Sequence, residues 1–165
     1  MKTTEKEPEV KTITVKDYDS DQGTVILHSS WPNTNVGQIP QLDKMAAATL
    51  DTFDAMVRRA YNKEGWSHFI NSSYREGDPK SHGRGEAIDF YFYRFKPGDI
   101  DLDRQLLFAL QYEWRGIGFY PYWNTPGLHV DTRTDLKWKE RRAIWQRTEL
   151  GAYVTGWAAG SQLDA

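Results

Sequence analysis

The chain has 165 residues, with 21 Lys and Arg against 23 Asp and Glu, for a net charge of −2. That length suits one domain, and the near-balance of charge argues against nucleic acid as a partner. There is no cysteine, which excludes disulfides, thiolate catalysis and cysteine-ligated metal sites and leaves His28, His68, His82, His129 and the carboxylates to build one.

In chain order, residues 1–9 are polar and read as a flexible N-terminus without the apolar stretch of a secretory signal. A single domain is expected over residues 10–150, and a tail rich in small residues over 151–165. No apolar run reaches the roughly 18 residues of a membrane span, so synthesis as a soluble cytoplasmic chain is expected. Strands are predicted at 10–15 and 24–28 and a loop at 31–40. Leu42, Met45, Ala46, Leu50, Phe53, Met56, Val57 and Ala60 recur at three- and four-residue steps. They predict an amphipathic helix that starts after Pro40 and stops near Gly65. A strand at 66–71, a polar loop at 72–84 and a strand at 86–93 follow. A second helix is expected from Asp101, carrying Leu102, Leu106, Leu107, Leu110 and Trp114 as far as Gly116. Short strands at 117–120 and 128–131 and a third helix at 136–150 complete the reading. Helices and strands mixed without regular βαβ alternation predict an α+β fold, a small, mainly antiparallel sheet with helices packed on it.

The chemistry concentrates in Ser81-His82-Gly83-Arg84-Gly85-Glu86-Ala87-Ile88-Asp89-Phe90. Strand alternation puts Ile88, Phe90 and Phe92 on one face and Ala87, Asp89, Tyr91 and Tyr93 on the other. A carboxylate among Ile, Phe and Tyr costs several kcal/mol to bury unless a cation or metal meets it. His82 lies seven positions earlier, across a loop whose Gly83 and Gly85 allow the chain to fold back. The second segment is Gly127-Leu128-His129-Val130-Asp131-Thr132-Arg133, where His129 and Asp131 share one strand face and Leu128 and Val130 the other. Two imidazoles and a carboxylate from two strands can make a three-ligand zinc site with a position left for water. Water there titrates near pH 7 and needs a carboxylate to take its proton. Asp131 is the first candidate because it shares the face of His129. A place behind the metal ligand, or a turn-forming role before Thr132, is the competing reading of Asp131.

The pattern His-x-x-Gly-x-Ala-x-Asp followed by His-x-Asp resembles the LAS metallopeptidases. That group holds D-Ala-D-Ala carboxypeptidases and dipeptidases, murein endopeptidases, phage endolysins and the hedgehog signalling domain. The resemblance implies a hedgehog-like or D-Ala-D-Ala peptidase-like fold, and zinc held by His82, Asp89 and His129. It extends to Ser72-Ser73-Tyr74-Arg75 and Ile117-Gly118-Phe119-Tyr120, which implies substrate contacts from Ser73, Arg75 and Tyr120. It covers residues 42–133, and the His-Val-Asp-x-Arg branch is the most similar. The implied activity is hydrolysis of peptidoglycan stem peptides or cross-links by a monomer acting on the cell wall, after phage lysis or as a virion component.

Two positions depart from the family. The acidic residue that several branches carry three positions before the second zinc histidine is Pro126 here, and Lys80 stands where a serine is usual two positions before His82. The first departure moves the base to Asp131, with Glu113 in reserve. It also motivates the alternative, a non-catalytic zinc-stabilised wall-binding or virion module of the same fold. Amide hydrolysis of a small metabolite is a more remote reading. His28 and His68 read as structural, and Lys137, Lys139, Arg141, Arg142 and Arg147 as a solvated helix face.

Overall fold

The computed structural model describes residues 39–134 and 142–155. The strands expected at 10–15 and 24–28, His28, most of the loop at 31–40 and the first half of the third expected helix lie outside the described residues.

The first expected helix is two. A short helix α1 (Ile39–Leu42) begins within the expected loop, and α2 (Ala47–Arg59) follows. The break has a tertiary cause: the Ala46 N–H donates to the Gly85 carbonyl at 2.7 Å, tying residues 43–46 to the loop that carries His82. α2 buries Thr49, Leu50, Phe53, Met56 and Val57. It widens into a π turn (Ala60–Glu64) and ends at Gly65, whose φ of 71° is the left-handed conformation that terminates helices.

Among the described residues, six strands form one sheet in the order β1-β2-β4-β3-β5-β6. They are β1 (Ser67–Ser72), β2 (Ala87–Tyr93), β3 (Gly116–Tyr120), β4 (Gly127–Asp131), β5 (Ala143–Arg147) and β6 (Tyr153–Thr155). Every pairing is antiparallel except β3 with β5, so the fold is α+β with a mixed, mostly antiparallel sheet. Between β2 and β3 lies α3 (Leu102–Ala109).

Two expectations are corrected. The second helix stops at Ala109, although Leu110 and Trp114 keep helical spacing. Instead, the Arg142 guanidinium donates to the carbonyls of Leu110, Tyr112 and Trp114 at 2.6–2.9 Å, pulling this segment off the helix axis. The third expected helix is, over its described part, strand β5, aligned parallel to β3 with Ile117 opposite Ile144 and Gly118 opposite Trp145. The buried side chains Ile144 and Gln146 alternate with the half-buried Trp145 and Arg147, a period of two that a slot beside β3 selects. The pairing of β5 with β6 then uses residues 153–155 of the expected tail.

One sheet face makes the core. Ile70, Ile88, Phe90, Phe92, Ile117, Phe119, Leu128 and Val130 join α2 and α3 in a single apolar cluster. Phe53 of α2 meets Phe90 edge-on at 5.2 Å, and Trp66 bridges Phe92 and Phe108 at 5.4 Å each. Each such ring contributes roughly 1.5–3 kcal/mol by leaving water. This burial packs one face of the sheet against its helices and leaves the opposite face for chemistry.

Candidate metal centre

On that opposite face, strand register alone sets up a row. Asp89 of β2 pairs with His129 of β4, which pairs with Gly118 of β3, which pairs with Trp145 of β5. Residues opposite one another in neighbouring strands point the same way, so Asp89 and His129 meet. His129 Nδ1 lies 2.9 Å from Asp89 Oδ1.

His82 arrives from a loop. It sits in a single 3₁₀ turn (Ser81–Arg84) closed by Gly85, whose φ of 69° is left-handed. Gly83 is needed for a different reason: a Cβ there would run into the Asp78 backbone carbonyl. The Arg75 N–H donates to the His82 carbonyl at 3.1 Å, and the His82 ring presents Nδ1 to the Ser73 carbonyl at 2.6 Å. A carbonyl only accepts, so Nδ1 is the donor, and in the neutral imidazole Nε2 then carries the lone pair. That Nε2 lies 3.2 Å from Asp89 Oδ2, yet it is buried without a hydrogen bond.

His82, Asp89 and His129 are 5%, 7% and 7% exposed. Their three candidate ligand atoms lie within 4.8 Å of one another, so the group could hold a metal ion. The fit is chemical as well as spatial: two imidazole nitrogens and a carboxylate oxygen, with one buried nitrogen otherwise unpartnered, suit a divalent transition metal.

The cations expected beside Asp89 are present. Arg75 donates from Nη2 to Asp89 Oδ2 at 3.0 Å, from Nε to Ser72 Oγ and from Nη1 to Asp78 Oδ2. Burial alone would raise the Asp89 pKa, but its bond to His129 and the nearby His82 ring outweigh that and hold the carboxyl below the usual carboxylate range. His129 shows the reverse. Burial disfavours its charge, yet the bonds to Asp131 and Asp89 prevail and carry its pKa up to about 9.

Asp131 is fully buried and wholly engaged. His129 Nε2 is 2.7 Å from its Oδ2, while Arg133 donates from Nε to Oδ1 at 2.8 Å and from Nη2 to Oδ2 at 2.6 Å. The Arg133 backbone N–H adds a third bond to Oδ1 at 3.1 Å. Against desolvation, Arg133 and His129 keep the Asp131 carboxyl well below its ordinary pKa.

The remaining candidates divide. Arg75 is half exposed at the rim above Asp89. Ser73 is buried, and its carbonyl serves His82. Tyr120 is half-buried one rung from His129, stacks on Trp123 at 4.3 Å and accepts a hydrogen bond from Trp145 Nε1 at 3.0 Å. Burial is the main cause that pushes its phenol up to about 12. Glu113 is exposed between α3 and β3, outside the cluster. His68 is on the core side, edge-on to Phe53 at 5.5 Å. Of the expected basic face, Lys137, Lys139 and Arg141 lie outside the described residues, Arg142 serves carbonyls, and Arg147 bonds Tyr153 Oη at 2.6 Å.

Sequence reasoning missed Gly116, Trp145 and the role of Arg133. A Cβ on Gly116 would strike the Asp131 carboxylate, and one on Gly118 would sit 2.7 Å from Trp145. The signal was there in Gly-Ile-Gly-Phe, a strand that keeps its core face and empties the other. Known protein-family models, curated proteins and solved structures give no match to this chain.

Proposed function

We propose that the protein is a zinc peptidase of the LAS type, with the hedgehog-like fold of that family, acting on peptidoglycan stem peptides or cross-links. The observation that carries the reading is the buried His82–Asp89–His129 group, with one bare imidazole nitrogen already turned inward. When bound, zinc supplies Lewis acidity that polarises a carbonyl and acidifies water. His82 Nε2, Asp89 and His129 Nδ1 would hold it. Arg75, half exposed beside Asp89, would bind a substrate carboxylate or the oxyanion that develops on the attacked carbonyl. Tyr120 and Trp123 would wall the neighbouring rung. The proton of the attacking water would pass to Asp131 only if the Arg133 pairing opened, so Glu113 or another carboxylate remains in competition for that role.

The same pairing favours a second reading, a non-catalytic zinc-stabilised module. Of the carboxylates placed at the cluster, Asp89 is a ligand and Asp131 has both oxygens engaged.

The deciding experiment is mass spectrometry of peptidoglycan and muropeptides digested with the zinc-loaded protein. New amine and carboxyl ends that vanish after chelation and in His129→Ala support the peptidase and name the bond. Tight zinc binding without any new ends supports the module. Cleavage that survives chelation refutes the metal mechanism.

A further inference from the structure

We infer that Asp131, backed by Arg133 and given room by Gly116, is a positioning residue that selects which nitrogen of His129 meets the metal. This rests on the metal reading of the site and not on peptidase activity. Both ring nitrogens of His129 face a carboxylate: Nδ1 faces Asp89 at 2.9 Å and Nε2 faces Asp131 at 2.7 Å. The two are not equivalent. Asp89 also lies 3.2 Å from His82 Nε2, so Nδ1 points into the cluster while Nε2 points away from it.

Asp131 can only be the acceptor of an Nε2–H. Three donors from Arg133, at 2.6, 2.8 and 3.1 Å, engage both oxygens of its carboxylate and hold it in one orientation. The Arg115 N–H fixes its backbone carbonyl at 2.8 Å. A neutral imidazole that donates Nε2–H has its lone pair on Nδ1, directed at the metal position. Such hydrogen bonds behind a ligand fix its orientation and raise its basicity. His82 receives the mirror arrangement from the Ser73 carbonyl, which takes Nδ1–H and leaves Nε2 for the metal. Opposite nitrogens of the two rings are thus selected by two acceptors, one a backbone carbonyl and one a side chain.

Gly116 completes the device. It pairs with Asp131 across β3 and β4, and a Cβ there would collide with the carboxylate and come within 2.7 Å of Arg133 Nη2. Its φ is not left-handed, so the requirement is for space and not for backbone freedom.

The test uses the full chain, with zinc affinity read by chelator competition and His129 followed by long-range imidazole ¹H–¹⁵N correlation. In the zinc-loaded wild type, Nε2 carries the proton and Nδ1 the metal. Asp131→Ala lowers zinc affinity roughly 10–100-fold and loses that single assignment, as Nε2 competes for the metal. Arg133→Ala and Gly116→Ala, which keep the Asp131 carboxylate but loosen or displace it, move affinity the same way by less, and Arg133→Lys restores part of the Arg133→Ala loss. A folded Asp131→Ala protein with wild-type affinity and an intact Nε2–H overturns the inference. Should Asp131→Ala fail to fold, unchanged affinity and an unchanged assignment in both Arg133→Ala and Gly116→Ala overturn it. Wild-type protein that takes up no zinc overturns it together with the metal reading.

Discussion

His68 and His129 are both buried strand histidines, and their surroundings drive them in opposite directions. His68 lies on the core face of β1, beside Phe53, where burial pulls its pKa down to about 3. His129 lies on the other face, where burial acts in the same sense but Asp131 and Asp89 reverse it, to about 9. Depth alone decides little about a histidine. What counts is whether its neighbours offer it a ring or a carboxylate, and the register of β2 and β4 supplies Asp89.

The most disruptive way to break this contrast is to remove the shared carboxylate. In Asp89→Ala, a protonated His129 and the Arg75 guanidinium lose a buried partner, which costs about 3–5 kcal/mol for pairs of this kind. Denaturant unfolding of the metal-free protein should show that loss at neutral pH. Part of it should return at pH 10, where His129 is neutral, and equal losses at both pH values would refute the explanation.

The second test reads the two histidines on one curve. The folded pKa of His68 is depressed, so its unfolded form binds a proton first and stability falls as pH drops below about 6.5, by about 3 kcal/mol down to pH 4. The folded pKa of His129 is raised. Its contribution is complete below about 6.5 and is lost as pH rises through about 9, again by about 3 kcal/mol. Metal-free protein should therefore be most stable near pH 6.5. His68→Phe should flatten the acid limb and His129→Asn the alkaline one, while a wild-type curve flat from pH 4 to 9 would contradict both assignments. Added zinc should invert the alkaline limb, because the metal takes the place of the Nδ1 proton and binds more tightly as pH rises.

Much of this contrast could be read from the chain alone. The alternation in Ala87–Tyr93 isolates Asp89 from Ile88, Phe90 and Phe92, and the alternation in Gly127–Asp131 puts His129 beside Asp131. What stayed hidden depended on partners distant in sequence. Leu110 and Trp114 keep helical spacing, and only Arg142, some 30 residues on, turns their carbonyls away from a helix. The segment Ala143–Arg147 became a strand because β3 had an open edge of matching direction. Asp131 is the exception: its partner Arg133 is only two positions on, yet strand alternation, which left Asp131 either base or support behind the ligand, gives no sign that the guanidinium curls back to take both its oxygens.

The smallest predicted effect separates the two routes by which ligands reach the site. Asp89 and His129 are placed by sheet register, which the whole apolar face supports, whereas His82 depends on one turn. Gly83→Ala puts a Cβ into the Asp78 carbonyl, and relief of that overlap must move the 3₁₀ turn, at a cost of about 1–3 kcal/mol. The turn is bonded to its surroundings through His82, Ser81 and Gly85, so the displacement carries the His82 ring off the Ser73 carbonyl. Zinc affinity should fall by about tenfold or more as a result. The register between Asp89 and His129 should survive, with amide exchange in β2 and β4 unchanged. Unchanged exchange in the core strands beside faster exchange at residues 75–86 would fit a local defect. Uniform acceleration across β2 and β4 would instead mean that the loop and the sheet are one cooperative unit, and the division between the two routes would not hold.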